Sequence, residues 1–274
     1  MIDISKKVLP TKIFQKIKSY FSENKIEESY FWRNYDKNEI SKLKDKFKGQ
    51  RAFIVGNGPS LNEIDLTKLK DEYTFGVNSI FLKEEVFKPY FYVVEDHNVA
   101  RDNSEKIHDF KVNYKFFPRN YKHIIKKDSN TLFFNMNTGY YQKYSSNYCI
   151  PRFSADASSK IYCGQSVTIM CLQLAFYMGF ESVYLLGMDF SYVIPKDAII
   201  EEGGSILSTS DDPNHFDASY FGAGKRWHDP HLDRVERSYK LAKICYESKG
   251  KNIYNSTVGG KLEVFERVDF NSLF

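Results

Sequence analysis

The run Arg51-Ala-Phe-Ile-Val-Gly56 constrains the fold more than any other stretch of the sequence. It is short and apolar, shows no alternation, and stops at a glycine followed by Asn57-Gly58-Pro59-Ser60-Leu61. A strand with apolar side chains on both faces must be covered on both, which is the condition of a parallel sheet. The pattern recurs at Tyr73-Thr-Phe-Gly-Val-Asn78, Tyr90-Phe-Tyr-Val-Val-Glu95-Asp96 and Ser182-Val-Tyr-Leu-Leu-Gly187. Shorter candidates are Tyr114–Phe117, Thr131–Asn135 and Asn252–Asn255. Val167–Met178 reads as a buried helix. Asp233–Lys249 reads as an amphipathic one, with Val235, Tyr239, Ala242 and Tyr246 on one face and Gly250 placed as its C-cap. Strands alternating with helices predict an α/β chain: a Rossmann-like, mostly parallel sheet with helices on both faces.

Residues 50–274 form the expected main, Rossmann-like domain. Residues 1–49 form a helical N-terminal extension, in which Ile13, Ile17, Tyr20 and Phe21 recur at helical spacing among lysines and Asn38–Phe47 is a second helical stretch. The simpler reading of that extension is an appendage packed on the main domain; the other is a helix lying on a membrane surface. Lys196–Phe221 is rich in Gly, Ser, Asp and Asn and has little periodicity, so it reads as a lid over about 196–221, mobile until ligand orders it.

Thirty-nine basic against 35 acidic residues leave a net charge of +4, too mixed to argue for a nucleic-acid partner. No apolar run approaches the ~20 residues of a membrane helix. Lys6, Lys7 and Lys12 interrupt any signal-peptide core, so the expected location is the cytoplasm, with room for peripheral contact at the inner face of the membrane. Cys149, Cys163, Cys171 and Cys245 lack Cys-x-x-Cys pairing, which argues against zinc; Cys163 and Cys171 read as buried reduced thiols. The 20 tyrosines and 23 phenylalanines suit an aromatic core, and some of them a site for sugar or base rings.

Doubly wound sheets bind ligands beyond the carboxyl ends of their strands. Four places here meet that rule: Gly56–Leu61, Asn78, Glu95-Asp96 and Gly187–Tyr192. In the first, Gly56 and Gly58 let backbone amides approach a phosphate at a helix start, with Asn57 between them; the bland reading is a tight turn with Ser60 as a cap. Asp189 suits a ribose or acceptor hydroxyl, or merely caps a loop. Tyr192 suits a leaving phosphate, or merely fills the core. His228 and His231, in Trp227-His-Asp-Pro-His-Leu-Asp233, suit a general base; Asp233 reads equally as a helix N-cap, and His97 is the main rival histidine.

The order Ile54-Val-Gly-Asn-Gly-Pro-Ser-Leu61, Phe75-Gly-Val-Asn78, Ser166-Val, Ala175, Gly179-Phe, Val183-Tyr-Leu-Leu-Gly-Met-Asp-Phe190, His228 and Ile253-Tyr-Asn-Ser256 resembles the bacterial family-42 sialyltransferases over roughly residues 51–256. The resemblance implies a metal-independent Rossmann-like glycosyltransferase with a lid. Its donor is a CMP-linked nonulosonic acid and its acceptor a glycan hydroxyl. It implies nucleotide contacts from Asn57 and Asn78. Its matched motifs add Gly56, Gly58, Ser60, Ser166, Asp189 and Asn255 to the donor site, with His228 as base. Tyrosines following the Gly-x-Asp-Phe strand end bind the donor phosphate in that family; here Ser191 precedes Tyr192, so the position is displaced. No cofactor beyond the CMP-sugar and no metal is implied, and a homo-oligomer is allowed. The run Ile253–Phe265 also resembles a broader group, the former domain of unknown function 115, which includes flagellin-modifying nonulosonic acid transferases and archaeal 6-hydroxymethylpterin diphosphokinases. The alternatives are therefore an ATP-dependent diphosphotransferase with a magnesium site drawn from Glu95, Asp96 and Asp189, or a non-catalytic nucleotide-binding protein.

Overall fold

The computed structural model describes residue 13 and residues 35–202 and 204–274. The helix expected around Ile17, Tyr20 and Phe21 lies outside them. In chain order the elements are α1 (Lys37–Ser41), β1 (Arg51–Val55), β2 (Tyr73–Val77), β3 (Phe91–Val93), α2 (His97–Asp102), α3 (Ser104–Asp109), β4 (Tyr114–Pro118) and β5 (Thr131–Phe134). There follow β6 (Met136–Asn137), β7 (Ile161–Tyr162), α4 (Val167–Tyr177), β8 (Ser182–Leu186), β9 (Ile199–Ile200), β10 (Ser205–Leu207) and β11 (Arg226–His228). The chain ends with α5 (Leu232–Glu247), β12 (Asn252–Asn255) and β13 (Glu266–Arg267).

Eight strands form one sheet in the order β13-β12-β8-β1-β2-β3-β4-β5, and every pairing in it is parallel. The chain builds outward from β1 through β5, then returns to lay β8 against the other side of β1. That reversal opens a crevice above the carboxyl ends of β1 and β8, the place where doubly wound sheets hold ligands. The Gly56–Leu61 turn and the Gly187–Tyr192 loop both leave from that point.

Side chains alternate across β1. Ala52 and Ile54 join a core with Phe75, Phe91, Phe116, α4 and α5, while Phe53 and Val55 join a second core with Leu61, Tyr92, Phe117, α2 and α3. Helix α4 is buried on nearly every side, which explains its continuous apolar sequence. Cys163 and Cys171 are buried free thiols, pushed well above the usual thiol range by burial. Most phenylalanines serve the two cores rather than a site.

Three local expectations are corrected. Asn38–Phe47 is not one helix: α1 ends at Ser41, and the amides of Asp45 and Phe47 donate to Tyr177 O and Met178 O instead of to their own turn. The N-cap of α5 is His231 in a left-handed conformation, not Asp233, which lies inside the first turn and pairs with Arg237 at 2.9 Å. The segment 196–221 is also not loop throughout, because β9 and β10 lie within it and pair antiparallel, with β11 just beyond it completing a small sheet. Among the described residues no helix is long and apolar enough to cross a membrane.

Candidate active site

A cleft of about 1110 Å³ opens at the β1/β8 reversal. Its walls include Asn57, Gly58, Asn78, Ser166, Asp189, Tyr192 and His228. Gly56, Ser60 and Asn255 do not line it. Asn255 is buried at the end of β12, with its side chain spent on Leu262 O and on the Thr257 amide. It acts at a distance, since Thr257 Oγ1 accepts from the Met188 amide and so shapes the β8 loop.

Backbone strain is concentrated here. Among the described residues six non-glycine positions have positive φ, and four of them, Asn78, Gln165, Phe190 and His231, line this cleft. Such conformations cost about 1–3 kcal/mol each and persist where function or packing over-determines them. Asn78 shows the return: its Oδ1 accepts from the amides of Glu95 and Asp96 at 3.3 and 3.5 Å, holding the β2 and β3 ends together.

The glycine turn is occupied by the protein's own acid. Asp189 accepts from Ser60 N at 3.2 Å and from Ser60 Oγ at 2.7 Å. Where a helix start was expected to receive a phosphate, the chain makes only a short 3-10 turn, Pro59–Glu63, which already carries a carboxylate, and Asp189 adopts its capping role. Asn57 is 8% exposed; its Nδ2 donates to Val77 O and Tyr220 Oη, each at 3.0 Å. Its Oδ1 has no partner, and neither has Gln165 Oε1 nor Arg234 Nε, all three on cleft-lining residues. A buried polar atom without a partner costs about 1–3 kcal/mol. All three atoms lie beneath the cleft wall rather than on its open surface.

Glu95 closes the floor. Burial pushes its carboxyl up to about 7, against the hydrogen bond donated by Tyr141 Oη at 2.8 Å. Tyr121 Oη donates to its backbone carbonyl. Asp96 caps α2 by accepting from Val99 N at 2.9 Å. His97 is exposed at the start of α2, edge-on to Tyr121. His228 is exposed at the end of β11, held in register against Ser205. His231 contacts Asp229 at 3.8 Å. Among the described residues no three His, Cys, Asp or Glu side chains gather so as to hold a metal ion.

Sequence reasoning missed His215 and Asp212, hidden in the presumed lid. His215 Nδ1 lies 2.7 Å from Asp212 Oδ2, and its Nε2 lies 3.4 Å from Tyr192 Oη. Burial alone would raise the Asp212 carboxyl, but the bond to His215 and the amides of Asn214 and Phe221 outweigh it and hold it below the carboxylate range. The spacing Asp-Pro-Asn-His after Asp211 was the only available signal, and it reads as an ordinary turn.

This half of the segment is docked. Phe216 N donates to Asn57 O and Asn62 Nδ2 donates to Phe216 O, both at 2.9 Å, while Phe216 and Tyr220 are buried. The outer half carries the exposed Ile199 and Ile200. Amide exchange at Phe216 and Phe221 is therefore expected to be slow with or without nucleotide, and added nucleotide should slow only residues 196–208. Rapid unliganded exchange at Phe216 would reverse this division of the lid.

Residues 24–195 match the family model described as 6-hydroxymethylpterin diphosphokinase MptE-like. No curated protein matches the chain in sequence. Among solved structures, the sialyltransferase CstII from Campylobacter jejuni, described in complex with a substrate analogue, cytidine-5'-monophosphate, aligns with a TM-score of 0.46. The two share 15% identity, over 82% of this chain and 86% of that one.

Proposed function

Since the chain belongs to the 6-hydroxymethylpterin diphosphokinase MptE-like family, a nucleotide-dependent transferase is the premise, and we propose that it moves a nonulosonic acid from a CMP-sugar to a glycan hydroxyl. The observation that carries the reading is the pairing of two ends of one cleft. At the β1/β8 reversal the buried Asn57 carries an Oδ1 without a hydrogen-bond partner, and at the rim stands the exposed imidazole of His228. Asn57, Asn78 and Gly58 would hold the nucleotide, with Ser166 and Gln165 beside it. His228 would take the acceptor proton, and Tyr192 would meet the departing phosphate, whose charge rises as the glycosidic bond breaks. Gly56, Ser60 and Asp189 would support the turn from beneath. Work at the inner face of the membrane, and as a homo-oligomer, is compatible with this chemistry.

The family match favours a second reading, diphosphate transfer from ATP to a hydroxymethylpterin. The matched span ends at residue 195, so β9 to β11, His228 and α5 lie beyond it. The match therefore speaks to the nucleotide half of the cleft and leaves the acceptor half open. The carboxylates a magnesium site would recruit are each engaged: Asp189 with Ser60, Asp96 with Val99 N, and Glu95 with Tyr141.

A ligand that binds the native state raises its melting temperature, by ~2.7 kcal/mol of stabilisation at a hundred times its Kd. CMP and CDP, tested with and without magnesium, are expected to raise the melting temperature equally in both conditions, and ATP much less. A shift seen only with ATP and magnesium would move the assignment to the second reading.

A further inference from the structure

We propose that Asp212, His215 and Tyr192 form a proton relay that hands a proton to the phosphate oxygen released from the donor, an assignment that rests on the nucleotide-sugar reading above. The three groups lie in line, with Asp212 Oδ2 to His215 Nδ1 at 2.7 Å and His215 Nε2 to Tyr192 Oη at 3.4 Å. Asp212 is fixed on every side: its Oδ1 accepts from Asn214 N at 2.8 Å and its Oδ2 from Phe221 N at 2.9 Å. A carboxylate so held keeps a proton on Nδ1. In the charged ring both nitrogens donate, so Nε2–H points to Tyr192 Oη and frees the phenol hydrogen to turn into the cleft.

The ring is held as firmly as its acid. It stacks on Tyr220 with centroids 3.9 Å apart and planes 5° from parallel. Asn214 ties the loop to Val193 in both directions, at 2.8 and 2.9 Å. Phe216 N reaches Asn57 O, so the loop is bolted to the turn expected to hold the nucleotide. Covering a donor needs none of these constraints, but placing a proton donor beside its phosphate needs all of them. The other ionisable groups facing Tyr192 and His215 are Asp189 after β8, Asp96 at the start of α2, Tyr239 of α5 and Tyr220.

The step balances. As the sugar C–O bond breaks, its electron pair stays on the phosphate oxygen. The Tyr192 hydroxyl proton moves to that oxygen, and the Nε2 proton of His215 replaces it on Tyr192. His215 is left neutral, Asp212 is unchanged, and His228 gains the acceptor proton. A phosphate monoester and an imidazole titrate within about one pH unit of each other in water, so the transfer is close to even and a positioned acid is effective.

Tyr192 touches the phosphate in this scheme, whereas His215 and Asp212 are positioning residues that act through it. The test is calorimetric titration of CMP into the full chain at pH 7.5, in buffers of different ionisation enthalpy. A dianion set beside the pair favours the charged ring, so the wild type is expected to take up a fraction of a proton per CMP bound. His215→Asn should take up none, with CMP affinity within about threefold, and Tyr192→Phe roughly half or less, with affinity reduced by the lost phosphate contact. With a transferable CMP-sugar, both variants should lose about tenfold to a hundredfold in turnover, and the alkaline fall of the wild-type pH profile should flatten. Tyr192 is 39% exposed, so Tyr192→Phe carries the test even where His215→Asn disturbs the loop. CMP bound without proton uptake, or uptake that persists in His215→Asn, overturns the relay alone. No binding of CMP to the wild type overturns the nucleotide reading, and the relay with it.

Discussion

Replacing His228 with alanine is expected to lower turnover at least about a hundredfold while CMP still binds. An acceptor hydroxyl is a weak nucleophile at neutral pH, and a placed general base contributes about 10²–10⁴-fold. His228 ends β11, whose register with Ser205 fixes the direction in which the imidazole leaves the strand. It is exposed at the cleft rim, where an incoming acceptor would arrive, whereas Asn57 is buried at the sheet end. The two groups are therefore separable by mutation. His231→Ala should lose much less in turnover, since His231 serves as the left-handed N-cap of α5 beside Asp229. Near wild-type transfer by the His228 variant would reject the role. A matching loss in His97→Ala, at the start of α2, would move the assignment there.

What the sequence made legible follows from which interactions are local. The strands at Arg51–Val55, Tyr73–Val77 and Ser182–Leu186 were readable because a buried parallel strand needs apolar residues on both faces. The position of the cleft followed from the same runs, because each ends in glycine or a polar residue and the sheet aligns those ends. Non-local partners were not readable. Whether Asp189 meets a substrate or Ser60 depends on two loops 129 residues apart meeting at the β1/β8 reversal. Asn255 sat in a matching motif, yet its amide is consumed by its own loop. Asn38–Phe47 has helical periodicity, but its amides find carbonyls at the end of α4. Asp212 and His215 lay in a stretch whose composition reads as loop, and their chemistry emerges only when Phe216 docks that loop on Asn57. Glu95 was visible as a strand-end acid, while its elevated carboxyl depends on burial beneath Tyr141.

Gly58→Ala is expected to damage both stability and nucleotide binding. The backbone at Gly58 is extended, so the requirement is one of space rather than of φ. A Cβ there would stand 1.8 Å from Asp189 Oδ2 and 2.8 Å from Gly187 O. The Asp189 side chain can swing aside, but Ser60, which is 4% exposed, then loses the partner of both its amide and its hydroxyl. Leaving such groups unmet costs about 1–3 kcal/mol. Gly187 O belongs to backbone and moves only with the β8 tip, to which Gly58 N also donates at 3.0 Å. Overpacking of this kind adds about 1–3 kcal/mol and parts the two strand ends that form the cleft. Denaturant unfolding should show a loss of about 2–4 kcal/mol, with CMP affinity reduced about tenfold or more. The double variant separates the two collisions. Asp189→Ala removes the first and leaves the second, so Gly58→Ala should cost about 1 kcal/mol less in that background than in the wild type. If the two losses add to within about 0.5 kcal/mol, Asp189 does not occupy the space above Gly58 in solution, and the turn is open to receive a phosphate directly.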